Sequence, residues 1–273
     1  MSTEHTSPRR VLVTGADGLI GRLLMDAWRA SGFCTPVGLA RKPGPYADVV
    51  ADITDGEALR AAMAGIDAVV HLAAVSAVDA PWEAVRDSNL IGTYHVFNAA
   101  HRAGVRKIVF ASSNHAIGTY ETENVPALWD LDDGRSWDHT AEIRPDSLYG
   151  VSKVYGEALA RYYVDHHGMR AVCLRIGGVR APDDPGHPAN LWRPERDREE
   201  GIRERRRRMR AVWLSERDCV QLIERALTTD KAWVLCYGIS DNPRKIWDIE
   251  HARRELGYEP RDSAPAEIFP GER

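Results

Sequence analysis

Cysteine is scarce in this sequence: Cys34, Cys173, Cys219 and Cys236 are the only four in 273 residues, and no two form a Cys-x-x-Cys pair. That spacing suits neither a disulfide framework nor a zinc site; isolated buried thiols in a reducing compartment fit it better. No metal centre is expected. Also missing is any run of about 18 apolar residues, the length needed to cross a bilayer. The first ten residues are polar, with Pro8 and Arg9-Arg10. Neither a membrane-crossing helix nor a secretory leader is therefore expected, and the chain reads as soluble and cytoplasmic. A strong charge of one sign is lacking too. The net charge of −4 offers no field for a nucleic acid or a membrane surface. Internal repeats and low-complexity tracts are absent.

What remains, 44% hydrophobic, suffices for one large α/β domain with a modest appendage. After a flexible tail (residues 1–8), Arg10-Val11-Leu12-Val13-Thr14 reads as a short buried strand. It runs into Gly15-Ala16-Asp17-Gly18-Leu19-Ile20-Gly21 and an apolar-periodic helix through Leu24 and Trp28. Strand, glycine turn and helix in this order suit a dinucleotide. Gly15 permits the turn, Gly18 lets backbone approach a pyrophosphate, and Gly21 lets the helix pack on the strand. Asp17, Leu19 and Ile20 lie between them, where the helix start offers free N–H groups to phosphate.

The second strand, Thr35 to Arg41, departs from the usual pattern. An acid at its end holds the ribose 2′-OH of NAD; here Ala40, Arg41 and Lys42 stand there instead, with Arg22 after the glycine turn. Those cations suit the 2′-phosphate of NADP, and a solvated basic pair is the alternative. Val49-Val50-Ala51-Asp52 reads as a third strand ending in an acid, with a helix N-cap between Asp52 and Asp55 as the competing reading. Asp67 to His71 is a buried fourth strand, and the small residues of Leu72-Ala73-Ala74 leave room for backbone beside a cofactor.

Two later stretches carry the chemistry. Arg106 to Phe110 is a buried strand that gives way to the polar run Ser112-Ser113-Asn114-His115, where open parallel sheets bind ligands. Leu148-Tyr149-Gly150-Val151-Ser152-Lys153 opens a helical pattern running to about His166. Tyr149 and Lys153, four apart, leave that helix on one face. A phenol base at neutral pH needs about 4 kcal/mol of help, and a neighbouring ammonium supplies part of it. Taken alone, Tyr149 and Lys153 are equally an exposed pair at helical spacing, and Asn114 and His115 are equally turn formers.

The Gly-x-x-Gly-x-x-Gly spacing, the Ser-Ser-x-x-x-x-Gly pattern and Tyr-x-x-x-Lys in this order resemble the extended short-chain dehydrogenase/reductase superfamily, of the epimerase/dehydratase type. Ser112-Ser113-Asn114-His115 and Pro145 to Lys153 most resemble the uronate dehydrogenases. So do Arg175-Ile176-Gly177, Trp213-Leu214-Ser215 with Asp218, and Gly257-Tyr258-Glu259-Pro260. The likeness runs from Val11 to about Pro260. It implies a doubly wound parallel Rossmann sheet over residues 9–178, then a small substrate-binding region over 179–273.

The resemblance further implies that Ser113, Tyr149 and Lys153 are catalytic. Asp52 and Ile53 would lie by the adenine, Ile176 by the nicotinamide, and Asn89 would support the active-site helix. Ser76, Ser113, Asn114, His115, Tyr149 and Arg208 would hold the substrate, with Arg208 on its carboxylate. Counting back from Trp213 selects Arg208 from a crowded run, Arg205 to Arg210. The implied activity is NAD(P)-dependent oxidation of a uronic acid at its anomeric carbon to an aldarolactone. A nucleotide-sugar epimerase or other sugar oxidoreductase is the alternative, and a non-catalytic dinucleotide sensor a further one. The family habit is NAD, whereas the second strand favours NADP. A homo-oligomer is the expected assembly.

Two features depart from the likeness. Gly178 stands where a substrate-contacting Ser is common, and residues 180–207 form a long, charged, proline-containing insertion. A lid is one reading of it and a disordered, solvated insertion the other, the latter preferred. A second insertion, Pro126 to Glu142, carries Trp129 and Trp137 as candidate pocket walls.

Overall fold

Near-continuous apolar strands predict a sheet buried on both faces. A computed structural model of the chain describes residues 8–191 and 199–266. Its elements run β1 (Arg10–Thr14), α1 (Leu19–Ser31), β2 (Thr35–Ala40), β3 (Val49–Val50), α2 (Gly56–Ala62), β4 (Ala68–His71) and α3 (Thr93–Arg102). They continue with β5 (Lys107–Ser113), α4 (Leu148–His167), β6 (Arg170–Ile176), α5 (Glu199–Val212), α6 (Glu216–Thr228), β7 (Trp233–Gly238) and α7 (Glu250–Leu256). The seven strands form one parallel sheet in the order β3-β2-β1-β4-β5-β6-β7.

Alternate strand residues feed two cores. Val11 and Val13 of β1, with Ala68 and Val70 of β4, pack on the face covered by α1, α6 and α7. Leu12 and Val69 point the other way, toward α2, α3 and α4. This is the doubly wound architecture, and its order reverses at β1, where the chain leaves first for β2 and later for β4. Ligands bind at such a switch point, outside the carboxyl ends of the strands.

Helix α4 is drawn unusually close to the sheet. Ser147 caps it by accepting from Gly150 N at 3.0 Å. A Cβ on Gly150 would fall 2.3 Å from the His115 carbonyl oxygen, and one on Gly156 would fall 2.1 Å from the Phe110 ring. Each interior glycine costs a helix roughly 1 kcal/mol in propensity. The return here is a helix lying against the end of β5, which brings Tyr149 and Lys153 beside Ser113.

Several expectations need correction. The third strand is only two residues long, and Asp52 lies beyond it in a turn, accepting from Thr54 N at 2.9 Å. Asp55, not Asp52, caps α2. From the expected substrate-binding region, 179–273, β7 (Trp233–Gly238) pairs parallel with β6 in the same sheet. The charged stretch is mostly exposed over residues 181–190, whereas residues 199–207 form the start of α5 (Glu199–Val212), with 201–207 largely half-buried. Gly178 and Trp213 pair at its base, with Gly178 N donating to Val212 O at 2.7 Å. Residues 192–198, the middle of that stretch, and all of the expected tail but Pro8 lie outside the described residues. Trp213, Ser215 and Asp218 hold the fold: Ser215 caps α6, and Asp218 accepts from Ser240 Oγ at 2.7 Å.

Among the described residues no helix is long and apolar enough to cross a membrane, and no three His, Cys, Asp or Glu side chains gather as a metal site. The four cysteines are unpaired; three are buried, and Cys34 is partly exposed.

Candidate active site

A cavity of about 400 Å³ opens at the carboxyl edge of the sheet, from the glycine turn after β1 to Arg180 and Arg208. Register places its floor: Ser113 is level with Ile176, and Ile176 with Gly238. Gly15, Gly18, Leu19, Ile20, Gly21, Leu72 and Ala74 wall one end. Gly15 has φ +72°, and a Cβ there would meet Ala73 N at 2.9 Å; one on Gly21 would lie 2.2 Å from the Gly15 carbonyl oxygen. Helix α1 starts with no side-chain cap and no acid in its first turn, so its leading N–H groups face the cavity without a competing carboxylate. These features fit a dinucleotide diphosphate.

Behind that wall, Thr14 Oγ1 lies 2.8 Å from His71 Nδ1 and accepts from Ala73 N at 3.2 Å, while His71 Nε2 lies 3.1 Å from Thr93 Oγ1. Burial, with the charge of Lys153, lowers the His71 pKa to about 3, so this histidine stays neutral.

The expected adenosine residues are not brought into the cavity. Asp17 and Arg41 are exposed. Asp52 is occupied by Thr54, whose hydrogen bonds, with the Arg41 charge, hold its carboxyl below the usual range despite some burial. Arg41 therefore already has an acid beside it, which weakens the case for a bare 2′-phosphate site. Ile53 is buried in the core, where a Cβ on Gly92 would strike it. Asn89 also lies away from the cavity. It accepts from Val75 N at 2.8 Å and donates to Val75 O and Ser152 Oγ, both at 2.9 Å, tying the segment before Ser76 to α4.

Ser113, Tyr149 and Lys153 all line the middle of the cavity. The Ser113 hydroxyl donates to Asn114 Oδ1 at 3.4 Å and accepts from His115 N at 3.3 Å, and it is close enough to Tyr149 to pull that phenol's pKa downward. Lys153 is 4% exposed and donates to Ala111 O at 2.7 Å, its Nζ 5.4 Å from the centre of the Tyr149 ring. Burial depresses its pKa to about 8, with Glu157 opposing. Tyr149 moves upward, chiefly through burial and further through Asp146, with Ser113 opposing. The expected lowering of Tyr149 by Lys153 is thus not what this state displays: the ammonium is spent on a carbonyl, and desolvation dominates both groups.

Beneath the lysine runs a buried chain that no motif announced. Ser112 Oγ donates to Glu157, which receives a two-pronged Arg175 at 2.9 and 2.8 Å, and Arg175 Nη1 donates to Tyr237 Oη at 2.9 Å. Tyr237 in turn stacks on Trp247.

At the far end stand Ser76, Asn114, His115 and Arg208. Asn114 lines the cavity, 3% exposed, and its buried Nδ2 has no hydrogen-bond partner among the described residues. His115 Nδ1 lies 2.6 Å from Asp146 Oδ2, and its ring packs edge-on against Tyr149. Asp146 gets this close because residue 118 is glycine; a Cβ there would lie 2.0 Å from its carboxylate. Arg208 is where counting placed it, but its guanidinium grips Glu121, Nε to Oε1 at 2.8 Å and Nη2 to Oε2 at 3.1 Å. Burial opposes the Arg208 charge, and Glu121 and Asp146 more than restore it.

Neither Trp129 nor Trp137 walls the cavity. Trp129 Nε1 donates to Glu121 at 3.0 Å, and Trp137 pairs its backbone with Ile246 and Asp248. Sequence reasoning missed Glu121 and Arg180. Arg180 stands three residues past the Ile176-Gly177 signature, at the start of the expected insertion.

Comparison with known proteins agrees with this geometry. Residues 11–230 match the NAD dependent epimerase/dehydratase family. The chain is 40% identical to an NAD-dependent glucose-6-phosphate dehydrogenase of Haloferax volcanii, covering 96% of this chain and 97% of that one. It is 35% identical to a uronate dehydrogenase of Pseudomonas syringae pv. tomato, covering 98% and 88%. A crystal structure of a uronate dehydrogenase variant from Agrobacterium tumefaciens complexed with NAD superposes with a TM-score of 0.72 at 31% identity, covering 94% and 86%. The chain therefore belongs to the NAD dependent epimerase/dehydratase family, as an NAD-dependent sugar oxidoreductase.

Proposed function

We propose that the protein oxidises a cyclic uronic acid at its anomeric carbon, giving an aldarolactone. The observation that carries this reading is the sharing of one cavity by Ser113, Tyr149 and Lys153 at its middle and Arg208 at its far end. Tyr149 takes the proton of the anomeric hydroxyl, and Ser113, lining the same cavity beside it, orients the reacting oxygen. Lys153, within reach of the Tyr149 ring, favours the phenolate once the Ala111 carbonyl is exchanged for a ligand hydroxyl. Asn114 Nδ2 supplies a ready donor for a ring hydroxyl, and His115, fixed by Asp146, supplies its Nε2. A bound nicotinamide would supply the acceptor for the hydride from the anomeric carbon. Gly15, Gly18 and Gly21 would hold its diphosphate, and Arg22, Arg41 and Lys42, with Asp52 partly offsetting them, would accept NADP at least as well as NAD.

A second reading is favoured by the pair of arginines, Arg180 and Arg208, lining the far end. A hexose 6-phosphate oxidised at the same carbon would also place an anion there, and the Haloferax volcanii relative carries that name. The test is the rate of nicotinamide reduction at 340 nm with glucuronate, galacturonate, glucose 6-phosphate and glucose, each with NAD and NADP. The proposal expects a hexuronate to give the highest kcat/KM. Turnover of glucose 6-phosphate alone would select the second reading, and no turnover of any of them would remove both.

A further inference from the structure

Glu121 sits in the helical turn Thr119–Thr122, 4% exposed, and its carboxylate is fully engaged. Oε1 accepts from Trp129 Nε1 at 3.0 Å and from Arg208 Nε at 2.8 Å, while Oε2 accepts from Arg208 Nη2 at 3.1 Å. The turn is itself anchored, since Thr119 N donates to Arg144 O at 3.0 Å and Thr119 Oγ1 to Pro145 O at 3.1 Å. Trp129 is held from the other side by Arg210, which donates to its carbonyl at 2.7 Å. The side-on edge of Arg208, Nε with Nη2, which is one of the guanidinium's two edges able to grip a planar carboxylate in parallel bonds, is therefore committed to Glu121. The cavity meets a guanidinium whose charge is already offset.

We infer that Glu121 is a specificity-determining residue: by neutralising Arg208 it matches the distal end of the cavity to a singly charged carboxylate and disfavours a doubly charged phosphate on the same sugar. The inference rests on the reading that the anionic group of the sugar lies at Arg208. Coulomb energy scales with the charge of the ligand, and a phosphate monoester carries about −1.5 to −2 near neutral pH against −1 for a carboxylate. Removing the Glu121 charge changes the local potential equally for every ligand, so a dianion gains about twice what a monoanion gains. Glutamine is the suitable probe. Its carbonyl oxygen keeps the place of Oε1, fixed by the Trp129 and Arg208 Nε donors, and its amide then opposes Arg208 Nη2, donor against donor, which turns that nitrogen toward the cavity.

The experiment compares glucuronate, glucose 6-phosphate and glucose, one ring bearing three distal groups, on wild type and Glu121→Gln. The expected result is a rise in the glucose 6-phosphate to glucuronate ratio of kcat/KM on the order of tenfold, with the glucuronate to glucose ratio rising less. Arg208→Gln should move both ratios the other way. An equal change on all three sugars, or a larger gain for glucuronate than for the phosphate, would overturn the inference. Failure of wild type to oxidise glucuronate would instead strike the uronate reading, and the phosphate-to-glucose ratio would still decide the role of Glu121. As a readout independent of turnover, thermal-shift titrations with inorganic phosphate and with acetate, NAD bound, should show Glu121→Gln gaining affinity for phosphate more than for acetate. Equal gains, or none, count against it.

Discussion

At the middle of the cavity, Ser113, Tyr149 and Lys153 stand on one strand and one helix that glycines press together; at its far end, Arg208 and Glu121 meet across 87 residues of chain. The first arrangement follows from secondary structure. Helical spacing puts Tyr149 over Lys153, and the end of β5 puts Ser113 beside them. The second depends on how the short turn Thr119–Thr122 meets helix α5, with Trp129 and Arg210 fixing the meeting point. The reacting groups rest on neighbouring elements, the sheet and its covering helix, while the Arg208–Glu121 pair depends on two segments distant in sequence packing together.

The sharpest way to break this comparison is to remove the reacting hydroxyl. Tyr149→Phe should lower kcat about 10²- to 10⁴-fold, the usual worth of a positioned acid–base group, with cofactor binding by fluorescence retained. Loss of both together would make Tyr149 a structural residue.

Next in size is the buried chain under the reacting end. Glu157→Gln leaves Arg175, 1% exposed, without its charged partner and should cost roughly 3–5 kcal/mol of stability. A denaturant midpoint shift of under a tenth of that size would show the pair to be dispensable. The corresponding break at the far end should be milder. Arg208→Ala strands Glu121, but the arginine is a quarter exposed, so about 2 kcal/mol is expected. Adding Glu121→Gln to Arg208→Ala should recover part of the loss, and a strictly additive double mutant would deny the coupling.

The pH dependence sharpens the comparison at the reacting end alone. Lys153 is depressed to about 8 by burial, so the Tyr149–Lys153 pair sheds its first proton there. Oxidation should rise with pH through an apparent value near 8 and then level. In Lys153→Met the rise should move upward, because Tyr149 by itself lies above its ordinary value. An unmoved inflection would assign it elsewhere. As linkage, the buried ammonium costs stability below about 8, and that cost fades as pH climbs toward the unfolded lysine value.

The smallest expected effect is at the adenosine end. Arg41→Asp should shift the NADP to NAD ratio of kcat/KM toward NAD by roughly tenfold, less in moderate salt, because Arg41 is exposed and faces Asp52. A ratio untouched by both mutation and salt would leave Arg41 in solvent.

How much of this was legible in the sequence follows the same division. The sheet, the glycine turn and the Ser113, Tyr149, Lys153 group could be read because each rests on local spacing or on a strand end. Asp52, Ile53 and Arg41 were placed by alignment to a pattern; a two-residue β3 with a tight turn after it sends Asp52 and Ile53 elsewhere, and Arg41, just past β2, is exposed. Glu121 could not be read. It stands in a four-residue helical turn without periodicity, and only the folded excursion brings Trp129 and Arg208 to it. Within the charged stretch 180–207 the helical part could not be read from charge density, since Arg207, on α5, pairs with Asp130 while residues 181–190 stay mostly exposed.

The most direct test of the proposed reaction is isotopic. Glucuronate carrying deuterium at the anomeric carbon would be incubated with enzyme and NAD or NADP, and both products analysed by mass spectrometry. Oxidation at that carbon predicts one deuterium in the reduced nicotinamide for each lactone formed, and a lactone free of label. Label retained in the sugar would contradict the account, and with epimerised sugar and no net nicotinamide reduction it would point to epimerase chemistry instead.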